Sequence, residues 1–136
     1  MQVDPDHRVM LVTLGKIVTE ASALAAYTAI EQFMSAHGPH SGITDFSGVE
    51  KFHVRADFVW FLVTKPPAIP EGMSRIAVAP RLDIYGLSRM FQTLRDNQGV
   101  EVQVVHTLNE AFKLLGLESP HFTPVDLVVH PGKIAA

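Results

Sequence analysis

The stretch Ile43-Thr44-Asp45-Phe46-Ser47-Gly48-Val49 decides how the chain is read. Its first half is β-branched and apolar enough for a short strand, Gly42 to Phe46, and Ser47-Gly48 supplies the turn chemistry that ends one. Beyond the loop lies Val54 to Thr64, VRADFVWFLVT, which is too long and too apolar for a surface loop. Its Val, Phe and Trp residues favour a strand. Lys65-Pro66-Pro67 stops the segment, however, and a following parallel strand needs a crossover at this point, so a helix is predicted. Strand then helix is the unit of an α/β domain, whose working loops lie at the carboxyl ends of its strands. The loop from Ser47 to Val54 is therefore the first candidate region.

The same alternation extends in both directions. Arg8 to Leu14 (RVMLVTL) is a β-rich apolar run broken by Gly15, and Lys16 to Thr19 is expected to close a hairpin against it. Thr19 caps a helix from Glu20 to about Ala36, with Ala21, Leu24, Ala25, Ile30, Phe33 and Met34 as a broad apolar stripe. His37-Gly38-Pro39 ends it, because Gly accepts the left-handed cap and Pro cannot continue a helix. Further on, Arg75 to Ala79 is a buried-type strand closed by Pro80. Asp83 caps a helix to Gln98, with Ile84, Leu87, Met90, Phe91 and Leu94 on one face. Arg89, Gln92, Arg95 and Asp96 lie mostly on the other. Gly99 is its stop. Val100 to Val104 alternates with period two, as an edge or half-exposed strand does. Thr107-Leu108-Asn109-Glu110 is a capping box opening a last helix to about Leu115, with Gly116 as its stop.

The resulting order, ββαβαβαβα, implies a single α/β domain over residues 1–117. Its mixed, mostly parallel sheet is flanked by helices and has an antiparallel strand at its start. Residues 118–136 contain three prolines and one apolar patch, Val125 to Val129. They read as a tail: a linker, an arm, or a strand lent to a neighbour.

Composition narrows the function. The chain has 136 residues, 47% hydrophobic and 18% charged, enough for one domain with its own core. A net charge of -3 argues against nucleic-acid binding, which needs a basic stripe to displace counterions. With no cysteine, disulfides, thiolate metal sites and a Cys nucleophile are excluded. The N-terminus lacks the basic-then-apolar order of a signal peptide, and no apolar run approaches the roughly 20 residues of a membrane span. A cytoplasmic protein without a transmembrane segment is expected.

Four stretches in this order resemble the SpoIIAA-like branch of the STAS domains, the fold of bacterial anti-sigma-factor antagonists. They are Asp45-Phe46-Ser47-Gly48-Val49, Ile76-Ala77-Val78-Ala79-Pro80, Tyr85-Gly86-Leu87-Ser88-Arg89-Met90, and Val102 to Val105 leading to Glu110–Leu115. The resemblance covers about Arg8 to Leu117 and implies a STAS-like (SpoIIAA-like) fold. It also implies a non-catalytic regulatory or protein-interaction module working through the loop Ser47 to Arg55 and the adjacent helix, and a homodimer is expected from the aromatic side chains of that helix. The chain departs from the family where function resides. Antagonists carry an Asp-Ser-Ser-Gly signature whose Ser is phosphorylated, and those four positions fall here on His53, Val54, Arg55 and Ala56. No Ser or Thr lies between Gly48 and Thr64, so a phosphate switch does not carry over. The alternative is a small apolar-ligand or anion-binding domain, distantly similar to the Sec14-type lipid-binding domains, with a pocket near Phe52, Phe58, Phe61 and Met90.

The candidate site residues are Asp45, Ser47, His53, Arg55, Arg81, Tyr85 and Arg89. Asp45 suits an Asx turn onto Ser47 and Gly48 better than catalysis, and Ser47 lacks the Gly-x-Ser-x-Gly elbow of a nucleophile. His53, Arg55, Arg81 and Arg89 are candidates for an anion patch at the carboxyl rim of the sheet, beside helix N-termini. A local ion pair between Arg55 and Asp57 is the competing account of that segment. Gly86 inside a helix costs about 1 kcal/mol relative to Ala, which points to close packing there ahead of the close approach of a ligand. Phe58, Trp60 and Phe61 cannot all face one core, so the helix is expected to reach a dimer interface. His37-x-x-His40 with Asp45 and His53 forms no tight metal-ligand spacing. No metal, cofactor or catalytic set is assigned.

Overall fold

In the computed structural model, which describes residues 1–125, twelve elements follow one another. They are β1 (Gln2–Asp4), β2 (Val9–Thr13), β3 (Ile17–Thr19), α1 (Glu20–His37), β4 (Ser41–Asp45), β5 (Lys51–His53), α2 (Ala56–Leu62), β6 (Arg75–Val78), α3 (Leu82–Asp96), β7 (Gln103–Val105), α4 (Leu108–Leu114) and β8 (Thr123–Pro124). The main sheet has the order β7-β6-β4-β2-β1-β8. Its strands β2, β4, β6 and β7 are parallel, and β1 and β8 add antiparallel partners at one side. A mixed α/β sheet flanked by four helices is thus the architecture.

The local signals act as the sequence suggests at most ends. Thr19 Oγ1 accepts the Ser22 amide (3.1 Å) and Ser22 Oγ accepts the Thr19 amide (2.8 Å), a reciprocal cap that starts α1. Gly38, at φ +83°, ends it with its amide on the Met34 carbonyl. At α4, Thr107 Oγ1 accepts the Glu110 amide. The Glu110 carboxylate takes the Thr107 hydroxyl, 3.1 Å away, and not the cap amide expected of a full box.

Several expectations are corrected. Residues 17–19 form no hairpin with β2. Leu14 donates its amide to the Asp45 carbonyl, and beyond Gly15 the Lys16 carbonyl accepts the Glu50 and Lys51 amides, so the chain runs on without reversing. β3 then pairs in parallel with β5 in a separate two-stranded sheet. The antiparallel start is supplied by Gln2–Asp4 instead. The α3 helix begins at Leu82, after Arg81, so Asp83 is inside it and does not cap it. The strand expected over 100–104 is confined to Gln103–Val105, at the sheet edge. After Leu117 the chain returns to β1: Thr123–Pro124 pairs with Gln2–Val3, and Val125 donates its amide to Met1. Of the apolar patch 125–129, only Val125 lies among the described residues.

Side-chain alternation sorts the two faces of the sheet. Val9, Leu11, Ile43, Ile76, Val78 and Val105 pack on Ala111 and its neighbours in α4. On the other face, Met10 and Val12 pack against Ile30, Phe33 and Met34 of α1. The central positions of this second face are small. Gly42 pairs with Arg75, and Thr44 pairs with Ala77. A Cβ at Gly42 would meet the end of the Ile69 side chain, which would have to shift. Between α1 and α3 the sheet therefore presents little side-chain volume.

Candidate functional site

The space left above Thr44 and Ala77 is an apolar cavity of about 210 Å³. Ala23, Ala26, Tyr27 and Ile30 of α1 make one wall, and Leu87, Ser88, Phe91 and Arg95 of α3 make the other. Phe58, Val59 and Leu62 of α2 roof it. At the carboxyl ends of the strands it is bounded by Phe46, Phe52 and Val54, with the Phe46 and Phe52 rings edge to face at 6.1 Å. At the amino ends it is bounded by Ile69, Arg75, Arg95 and Val102.

The sequence pattern accounts for this layout. Alanines at 23 and 26 leave the α1 wall with too little side-chain volume to fill the gap, and the seven-residue α2 covers it with Phe58, Val59 and Leu62. The pocket anticipated near Phe52, Phe58, Phe61 and Met90 lies where Phe52 and Phe58 are. Phe61 and Met90 are not in its lining; Leu62 and Phe91 take their places. One residue along a helix turns the side chain by about 100°, enough to leave Phe61 45% exposed on the outside of α2.

The amino end of the cavity holds two guanidinium groups. Arg95 is only 2% exposed. Its Nη1 donates to the Lys65 carbonyl and to Gln98 Oε1, both at 2.9 Å, and more distantly to Val63 (3.5 Å). Its Nη2 reaches the Leu62 carbonyl at 3.4 Å. Its cation lies 5.3 Å from the centre of the Phe91 ring. Arg75 donates from Nε and Nη2 to the Ile69 carbonyl (2.9 and 2.7 Å) and from Nη1 to the Glu101 backbone carbonyl (3.3 Å). The ion pairs among the described residues are His7–Asp4 and Arg81–Asp83, so neither guanidinium has a carboxylate in contact. Burial lowers the pKa of Arg75, which the charges of Glu71 and Glu101 oppose from farther away. Burial also lowers that of Arg95; Tyr27 opposes this and the neighbouring Arg75 charge adds to it. Tyr27, whose hydroxyl donates to the Pro66 carbonyl, has its own pKa raised by burial and by Glu31.

Arg95 was expected on the polar face of α3 and is the chief correction at this site. It stands four residues after Phe91 and eight after Leu87, on the stripe that faces the cavity. Its head reaches the carbonyls that follow α2, where a helix end attracts positive charge. The sequence signal was this i, i+4, i+8 spacing, with a cation at its last position. Arg75 carried a weaker signal, as the charge that opens an otherwise apolar strand.

The residues singled out from sequence fall into separate small groups. Asp45 and Ser47 are together: Asp45 Oδ1 accepts the Ser47 amide (2.9 Å) and hydroxyl (2.5 Å), the Asx turn anticipated. Arg81 pairs with Asp83 at 2.7 Å and donates to the Val49 and Glu50 carbonyls, so it fastens the loop after Ser47 to the start of α3. Tyr85 stacks on His106 at 4.4 Å, and Arg89 donates to its hydroxyl (3.3 Å). His53 is exposed in β5. Arg55 precedes α2, and its amide donates to Glu20 at the start of α1. It forms no ion pair with Asp57 among the described residues. Nor do His53, Arg55, Arg81 and Arg89 bond to one another there. His37 and His40 both pack on Phe33, and among the described residues no group of three potential metal ligands converges. No helix of the described residues is long and apolar enough to cross a membrane.

Comparison with family models, curated proteins and solved structures finds no match to this chain.

Proposed function

We propose that this chain is a non-catalytic, STAS-like domain that holds a small apolar molecule between its sheet and α1–α3. The observation that carries this reading is the cavity above Thr44 and Ala77, about 210 Å³ and walled by aliphatic and aromatic side chains. Cavities of about 150 Å³ with such walls take up benzene. A role in binding accounts for a gap that larger residues at 44 and 77 would close. The STAS-like assignment is supported by the element order. An Asx turn accounts for Asp45 and Ser47 without a catalytic role, Asp45 Oδ1 accepting both the amide and the hydroxyl of Ser47.

Native mass spectrometry of the purified protein, followed by thermal shift with small apolar compounds, tests this. A retained small molecule, or stabilisation by compounds that fit the cavity, is expected. No retained mass and no stabilisation at saturating concentrations would overturn the reading.

The second reading is an interaction module acting through α2 and the preceding loop, in a homodimer or with a regulatory partner. Exposed aromatic side chains favour it: Trp60 is 56% and Phe61 45% exposed on a helix of seven residues. Sedimentation equilibrium of the wild type and of Trp60→Ala decides. A dimer weakened by the substitution supports this reading, and a monomer in both removes the homodimer.

A further inference from the structure

The end of the cavity that holds Arg75 and Arg95 is chemically unlike the rest of it. Arg side chains are almost never fully buried unless paired, and a buried cation without a counter-charge costs several kcal/mol. Arg95 is 2% exposed and, among the described residues, is met by carbonyl and amide oxygens alone. Those dipoles satisfy hydrogen bonds without supplying a negative charge. Its Nη2 makes one bond among the described residues, the 3.4 Å contact to Leu62, and so retains donor capacity. Arg75 adds a second positive charge at the same end of the cavity.

Capping of α2 explains why Arg95 points to Lys65 and Gln98. It does not explain why Arg95, unlike Arg75 with Glu71 and Glu101 nearby, has no Asp or Glu in contact among the described residues. Carboxylates are the groups that guanidinium recognises best, in paired, charge-assisted hydrogen bonds. The remaining lining, from Phe46 and Phe52 to Phe91, offers only apolar surface and a few hydroxyls.

We infer that the ligand is an amphipathic carboxylate, its apolar body lying over Thr44 and Ala77 and its carboxylate against Arg95, with Arg75 beside it. This rests on the cavity-binding reading and adds the ligand's charge and orientation. Scaling from benzene in about 150 Å³, the cavity suits a body of about eight carbons. Both a straight acyl chain and a single aromatic ring with a short side chain meet that size. Acetate, which has the charge without the body, is expected to bind negligibly.

Titration calorimetry on the full chain with octanoate, 3-phenylpropanoate, 1-octanol and acetate tests it. One or both of the first two should bind at least 10-fold more tightly than 1-octanol, and which of them does so distinguishes acyl from aromatic bodies. In Arg95→Met that preference should collapse to within about 2-fold while 1-octanol affinity is retained. Arg75→Gln should reduce the preference partially and serves if Arg95→Met does not fold. Equal binding of octanoate and 1-octanol by the wild type would overturn the inference and leave the cavity reading standing. A preference for carboxylates that survives both substitutions would also overturn it. No binding of any of the four would remove the cavity reading and this inference together.

Discussion

Asp4 and Arg95 are the most deeply buried charged side chains described, 1% and 2% exposed, and they are satisfied in opposite ways. Asp4 is saturated. Its carboxylate accepts the Asp6 and His7 amides, the His7 ring and, from 117 residues away, the His121 amide at 2.9 Å. It therefore ties the β1–β2 turn to the segment that leads into β8. Burial alone would raise its pKa, but the bonds from His121 and His7 outweigh that and hold it below the ordinary 3.8. Because the folded pKa is depressed, the carboxylate's contribution is complete above the unfolded value. It is lost as the pH falls through the lower folded one. Asp4→Asn should cost about 2–3 kcal/mol at neutral pH and flatten the acid limb of stability below about pH 4. Urea unfolding at a series of pH values measures both. An unchanged acid limb would show that Asp4 does not contribute to it. Arg95, by contrast, has no opposite charge in contact among the described residues, which is why it stands out as a recognition group and Asp4 as a structural one.

At the scale of elements, α3 has the cavity on one side and a solvent face that carries a defect. Gly86 was expected to mark close packing. A Cβ built there meets nothing within 4 Å, and its φ is not in the left-handed region. The glycine thus costs helix propensity without relieving a clash. Gly86→Ala should stabilise the protein by about 1 kcal/mol, seen as a higher urea midpoint with an unchanged slope. A loss of stability would instead reveal a contact at that face. The long elements were legible because their signals are internal: α1 has Thr19 and Gly38 at its ends, and β4 has Asp45-Phe46-Ser47 at its turn. The strands β1, β5 and β8 were not, since two or three residues show no periodicity and each is a strand only through a distant partner. Lys51–His53, for example, is extended because it lies beside Ile17–Thr19. The Lys16–Thr19 segment was legible as a strand and not in its pairing, because nothing in Gly15 distinguishes a reversal from a continuation.

At the scale of the molecule, the cavity is a product of three helices and one sheet face, so only its fragments could be read in the chain. Phe52 and Phe58 were readable as apolar side chains near a loop. The small central residues were not, because Thr44 and Ala77 acquire meaning only when β4 and β6 lie side by side. The same pairing supplies the most direct test of whether this gap is the working part of the protein. Ala77→Leu adds three carbons to the cavity floor, on a strand whose neighbouring position, Thr44, does not oppose them. If the gap is free volume, filling it should leave stability unchanged or raise it by about 0.5–2 kcal/mol, as cavity-filling substitutions do. If the gap is also the binding site, octanoate or 3-phenylpropanoate should bind the variant at least 10-fold more weakly than the wild type. The two measurements, thermal unfolding and titration calorimetry, separate the cases. Retained affinity in a stable Ala77→Leu protein would place the ligand elsewhere. A destabilisation above about 2 kcal/mol would mean that the walls are already close-packed and that no molecule of eight carbons fits between them. A variant at least as stable as the wild type that has lost the ligand is the result that only a binding cavity produces.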